Sequence, residues 1–194
     1  MYNHFFSLKS SKKLSKSLDH GLGFGMIFNE KEIISSWVGP DDPALYADWI
    51  KRHNSISKNT PSESRNNSSH PIVLKVKEAL NSLKTGELET LEEFMGDLLP
   101  HPSRHHFRDR VLTELRKIKR GQLISYQELA INSGNPKAAR AVGRIIGKNH
   151  LPLLIPCHRV VAKGHAGGFS APGGLATKTK LLELEGVFLQ NLYN

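Results

Sequence analysis

A single cysteine, Cys157, among 194 residues sets the terms on which this chain can fold. It rules out an internal disulfide and any cysteine-rich zinc site, so a buried apolar core must supply the stability. The length suffices for one large domain or two small ones. A lone thiol also fits a reducing compartment. Cys157 lies in the strand-like run Leu154-Ile-Pro-Cys-His-Arg-Val-Val161. Free cysteines are among the most buried residue types, so a small core residue is one reading. Pro156, His158 and Arg159 are poor core neighbours, however, and an adjacent imidazole raises the thiolate population at neutral pH. The run therefore reads as an accessible, ionised nucleophile with a base beside it.

No stretch is long and apolar enough to span a membrane, so no membrane partner is expected. Met1 to His20 is basic and serine-rich and lacks the apolar run of a secretory signal. The expected location is the cytoplasm, or the nucleus if the source cell has one. The net charge of +9 is uneven. From His101 onward there are fifteen Lys or Arg against five Asp or Glu; before it, twelve against thirteen. All the excess sits in the half that carries Cys157. Such a footprint fits a nucleic-acid binder, with a merely soluble basic surface as the alternative.

Residues 24–38 read as two apolar strands around a polar turn at Asn29 to Lys31. Leu45 to Ile50 suits a helical turn, with Trp37 and Trp49 as core residues. Residues 55–70, rich in Ser and Asn, read as a mobile loop. A helix follows from Pro71, with Ile72, Val76, Ala79, Leu80 and Leu83 on one face and Gly86 as its stop. Pro100 and Pro102 mark the expected boundary between domains 1–100 and 101–194. In the second domain Phe107, Val111, Leu115 and Ile118 share a helix face, with Arg108, Arg110, Arg116 and Lys117 pointing elsewhere. Ser125 and Glu128 form a capping box opening a helix to about Asn132. After Ser133-Gly134, Asn135 suits an N-cap and Pro136 a first helical position, starting a second helix to about Lys148.

Two short helices with a glycine turn between them make a helix-turn-helix, although many such pairs never touch DNA. The second helix carries small residues at Ala138, Ala139, Ala141 and Gly143. Arg140 and Arg144 lie on one side of it, and Val142, Ile145 and Ile146 face the core. The small surface suits either close helix packing or entry into a nucleic-acid groove. A short link through Leu151-Pro-Leu-Leu-Ile155 then delivers Cys157. A glycine-rich loop spans residues 164–174, and a last helix, 175–185, stops at Gly186.

Those pieces together resemble one family. Ile124-Ser-Tyr-Gln-Glu-Leu-Ala130, Gly134-Asn-Pro-Lys-Ala-Ala-Arg-Ala-Val-Gly143, Ile155-Pro-Cys-His-Arg-Val-Val161, Gly173-Gly-Leu-Ala-Thr-Lys178 and Leu182-Glu-Leu-Glu-Gly186 are similar, in order and spacing, to the active-site domain of O6-alkylguanine-DNA alkyltransferases. The first half resembles the family's variable N-terminal domain only loosely. The resemblance implies an α+β protein: an N-terminal α/β domain with a small antiparallel sheet, ribonuclease H-like in the family, then a mostly helical, winged helix-turn-helix-like domain.

It further implies direct repair. Cys157 would take a methyl or larger alkyl group from O6 of a flipped-out guanine, with O4 of thymine as a second target, in one irreversible turnover. His158 would act through a water and be oriented by Glu185. Tyr126 would crowd the target phosphate and help neutralise the leaving guanine. Arg140 would fill the vacated stack, with Ala138, Ala139, Ala141, Gly143 and Arg144 on the DNA. Asn149, Pro152, Val160, Phe169, Ser170 and Lys178 would line the pocket. The implied partner is double-stranded DNA carrying O6-alkylguanine, bound by a monomer without a cofactor or metal. His101, His105 and His106 read as solvated.

Two departures stand out. Phe169 holds the place of a tyrosine, and Ala171-Pro172 is inserted before Gly173-Gly174, which implies a stiffer, reshaped loop. The cysteines with which some relatives bind zinc are absent. A lesion-binding protein without transfer activity and a helix-turn-helix regulator are the alternatives.

Overall fold

The computed structural model describes residues 2–8, 21–29, 31, 33–54, 65–66, 69–85 and 106–192. The architecture is α+β. Its main sheet has the order β3-β2-β1-β4, from β1 (Tyr2–Leu8), β2 (Leu22–Phe28), β3 (Ile33–Pro40) and β4 (Arg65–Asn66). The first three strands run antiparallel, and β4 adds two residues parallel to β1. The hairpin expected around Asn29 to Lys31 is present. β1 was not expected, because its aromatic pair Phe5-Phe6 adjoins a stretch dominated by Ser and Lys.

β2 is buried at every position, and its two faces solve that differently. Phe24, Met26 and Phe28 join Ile33 and Val38 in the main core, under Ile72, Val73, Val76, Ala79 and Leu80 of α2 (Pro71–Thr85). The opposite face carries glycine so that aromatic rings can reach the backbone. A Cβ on Gly25 would stand 2.1 Å from the Tyr46 ring. Tyr46 belongs to α1 (Pro43–Asn54), and its hydroxyl donates to the carbonyls of His4 (2.9 Å) and Met26 (3.2 Å). Trp37 is a core residue as expected, but Trp49 is half-buried and stacks on Tyr46.

In the second half, α3 (Phe107–Arg116) buries Val111 and Leu115. Arg110 does not simply face water: its Nε donates to the Ser133 carbonyl at 3.0 Å and secures the next turn. α4 (Tyr126–Asn132) begins with the expected capping box, Ser125 Oγ accepting from Glu128 N and Glu128 Oε2 from Ser125 N. The turn uses Gly134 at φ +80°, a conformation that favours glycine. α5 (Ala139–Ile146) starts later than expected. Asn135 caps only a local turn, its Oδ1 accepting from Lys137 N, and Pro136 precedes the helix. β5 (Ile124–Ser125) pairs in parallel with β6 (Val160–Val161), and α6 (Gly174–Leu184) closes the domain.

One continuous apolar core runs from Leu22 through the α2 residues to Leu181, so both halves share it. The expected loop at 55–70 lies mostly outside the described residues, as do Gly86, the boundary at Pro100 and Pro102, and His101 and His105. Among the described residues no helix is long and apolar enough to cross a membrane, and no group of three potential metal ligands occurs.

Candidate active site

Between α5 and Cys157 the chain makes a tight link organised by one amide. Asn149 Oδ1 accepts from Leu151 N (3.0 Å), while its Nδ2 donates to the Ile155 carbonyl (2.9 Å) and to Cys157 Sγ (3.2 Å). Cys157 opens a 3-10 turn, Cys157–Arg159, rather than lying in a strand. The sulfur's residue is 8% exposed. Burial pushes the thiol above its ordinary pKa, opposed by the Asn149 hydrogen bond and the Lys178 charge. The resting sulfur is therefore a protonated thiol, not the thiolate expected from the sequence. Any use of the sulfur as a nucleophile must first remove that proton.

The argument that His158 and Arg159 keep the segment out of the core is also corrected: both are buried. They are tolerated because they are paired. His158 Nε2 lies 2.8 Å from Glu185 Oε1, and burial holds the imidazole below its ordinary pKa despite the carboxylate's pull. The neutral ring thus donates from Nε2 and leaves Nδ1 as an acceptor. Nδ1 is buried with no hydrogen-bond partner among the described residues.

Arg159 supplies the charge that keeps Glu185 ionised. Its Nε reaches both carboxylate oxygens (3.1 and 3.0 Å) and its Nη2 reaches Oε1 (2.7 Å). Burial alone would raise the Glu185 pKa, yet His158 and Arg159 outweigh it and leave the carboxyl at about 2. Glu185 caps the end of α6, where Arg120 donates to the Leu184 carbonyl at 2.6 Å. Lys178, wholly buried, donates Nζ to the carbonyls of Val160 and Ala166. Burial brings it down to about 8, against the opposing pull of Cys157.

Cys157 borders two cavities. One, of about 290 Å3, is walled by Tyr126, Gly143, Ile146 and Gly147 and by Gly168, Phe169 and Ser170 of the loop. Tyr126 faces the helix at Gly143, where an added Cβ would lie 3.7 Å from its ring. Burial raises the phenol's pKa, so it remains a proton donor. The other cavity, of about 380 Å3, lies toward the sheet and includes Ser36, Trp49, Asn149, Pro152, Phe169 and Pro172 in its lining. The inserted Ala171-Pro172 leans on β3: a Cβ on Gly39 would stand 3.1 Å from Pro172 Cβ.

Tyr126, Asn149, Pro152, Phe169 and Ser170 are thus gathered around the sulfur as expected. Val160 and Lys178 are not pocket-lining; they sit behind the site, wholly buried, and border neither cavity. On α5, Arg140 and Arg144 are exposed together. Ala139, Ala141 and Gly143 are half-buried, and Ala138 is buried ahead of the helix, so it forms no part of an open surface. Sequence reasoning missed the anchoring role of Arg159 and the hydrogen bonds that Ser35 and Ser36 donate to the carbonyls of His150 and Pro152. The first had a signal: a cation two residues beyond Cys157, with two glutamates, Glu183 and Glu185, at the end of the last helix. The serines, far off in the chain, had none.

The family model of the 6-O-methylguanine DNA methyltransferase DNA-binding domain matches residues 106–187. The chain is 51% identical over 102 residues to the methylated-DNA–protein-cysteine methyltransferase of Homo sapiens, covering 50% of this chain and 48% of that protein. The Haemophilus influenzae protein of the same name is 38% identical over 116 residues, 59% of this chain and 62% of the relative. The chain thus spans about half the length of the first of these relatives.

Solved structures extend the likeness. The O6-methylguanine-DNA methyltransferase of Pyrococcus kodakaraensis superposes with a TM-score of 0.65 at 25% identity, covering 89% of this chain and 96% of that one. The Mycobacterium tuberculosis protein in complex with DNA gives 0.58 at 25%, covering 84% and 87%. Residues 106–187 thus match the DNA-binding domain of 6-O-methylguanine DNA methyltransferases, in a chain whose overall fold is similar to that of solved O6-methylguanine-DNA methyltransferases.

Proposed function

We propose that this protein repairs DNA by moving the alkyl group of O6-alkylguanine irreversibly onto Cys157. The observation that carries the reading is the position of the sulfur: it borders a cavity walled by Tyr126 and Gly143 of the helix-turn-helix and the 168–170 loop. A nucleophile next to a nucleic-acid-binding element has no use for a base inside the stack, so the lesion must be everted. Arg140, exposed near the start of α5, fills the gap. Tyr126 sits where it can crowd the target phosphate and meet the everted purine.

The chemistry follows from the pairings. Neutral His158 accepts the thiol proton at Nδ1 through a water, its other nitrogen held by Glu185. The sulfur's electron pair forms a bond to the alkyl carbon, the C–O6 bond breaks, and its electrons leave with guanine. Tyr126 donates a proton to the departing base, and the proton taken from sulfur makes good the loss. One proton moves from sulfur to guanine overall. The product thioether has no leaving group that regenerates the thiol, so each molecule acts once, as a monomer on duplex DNA.

The test is stoichiometric. A duplex carrying O6-methylguanine should add one methyl per protein, found on Cys157 by peptide mass spectrometry. Lesion bound but Cys157 unmodified would favour a non-catalytic lesion binder, and sequence-specific binding without lesion preference a regulator. Arg140→Ala should slow repair in duplex DNA about tenfold or more while sparing transfer from the free base. Equal losses on both substrates would remove Arg140 from eversion.

A further inference from the structure

The link carrying Asn149 is held by the N-terminal sheet. β3 is an edge strand, and its outer side is covered by the link rather than by another strand. Ser36, 3% exposed, donates its N–H to the His150 carbonyl (2.8 Å) and its hydroxyl to the Pro152 carbonyl (2.9 Å). Ser35 adds a hydroxyl bond to the His150 carbonyl at 3.0 Å. Just beyond these fixed carbonyls the chain passes through Leu153 at φ +73°. That left-handed conformation is unfavourable for a residue with a side chain and persists only where surroundings over-determine it. Asn149 adjoins the clamped His150, and its amide bridges from Leu151 N to the sulfur.

We infer that Ser36, assisted by Ser35, is a positioning residue for Cys157: by fixing the carbonyls of His150 and Pro152, it keeps the Asn149 amide on the sulfur. The consequence for alkyl transfer rests on the function proposed above. Without the two hydroxyls, the link can relax away from the left-handed turn and Nδ2 drifts from Sγ. A thiol that loses a donor to its ionised form becomes harder to ionise. A serine pair that merely glued the two halves together would affect melting and nothing at the sulfur.

The experiment uses the full chain with Ser36→Ala, Ser36→Thr and Ser35→Ala. Cys157 carbamidomethylation by iodoacetamide is followed against pH without DNA. His158, Lys178, Tyr126, Arg159 and Glu185 around the sulfur, and Arg52, Lys148 and His150 on the cavity it borders, are intact in every variant. Ser36→Ala should move the midpoint to higher pH and slow methyl transfer at saturating lesion DNA about ten- to a hundredfold, with DNA affinity within about twofold. Ser36→Thr, which keeps the hydroxyl, should recover both. Ser35→Ala should give a smaller upward shift and serves alone if Ser36→Ala does not fold. A lowered melting temperature with the midpoint unmoved would overturn the inference. The iodoacetamide measurement decides it even if the wild-type protein transfers no methyl, a result that would instead refute the function.

Discussion

Where β2 meets α1 and α2, the interior is hydrocarbon shaped around glycine; where the Cys157–Arg159 turn meets α6, it is charge fitted against charge. Around β2, close approach of Phe24, Met26 and Tyr46 excludes water, and shape does the stabilising. Around Cys157, His158, Arg159, Lys178 and Glu185 are all buried, and every one depends on a named partner. Replacing buried ion pairs by packed apolar side chains is often neutral or stabilising, so stability alone does not explain the second arrangement. Its yield is orientation: a neutral imidazole with one nitrogen committed and the other available. The apolar half tolerates change in proportion to volume, whereas the charged half fails when any one partner is removed.

The largest test of that contrast is Arg159→Met. Removing the cation while leaving Glu185 buried should cost about 3–5 kcal/mol, measured by urea unfolding. A cost below about 1 kcal/mol would show the pairing to be incidental. Acid titration is the next. The Glu185 carboxyl is held at about 2, below its ordinary 4.5. Its contribution should be complete above roughly pH 4.5 and be lost as pH falls toward 2. Glu185→Gln should flatten that acid limb, and an unchanged limb would break the assignment.

The smallest effect belongs to the apolar half. Gly25→Ala puts a methyl against the Tyr46 ring and should cost about 1–3 kcal/mol of stability while leaving the proposed methyl transfer per folded molecule unaltered. A matching loss of transfer would mean the two halves are not separable in this way.

Local chemistry was legible in the sequence where partners are near in the chain. The Ser125–Glu128 box and the α3 face of Val111 and Leu115 could both be read at sight. What escaped were partners distant in sequence. Arg159 looked ill-suited to a core because its carboxylate lies 26 residues on, beyond any local pattern. The thiol looked ionised because adjacency to His158 says nothing about burial, which decides the direction. Trp49 looked like core because an indole in a short helix is more often buried than left bordering a cavity. β1 was hidden by composition: its apolar content is short and its neighbours polar, and pairing with β2 and β4 makes it a strand.

Under the proposed function, the burial of Arg159 and Lys178 has a consequence for DNA affinity. Of the fifteen basic residues in the second half, these two point inward, where a phosphate cannot meet them. Counterion release counts only side chains that displace condensed ions at the duplex surface. The slope of log affinity against log salt should therefore report the outward set, Arg140 and Arg144 foremost. A tally of letters overstates the grip on the backbone, because some of the positive charge exists to hold a carboxylate still.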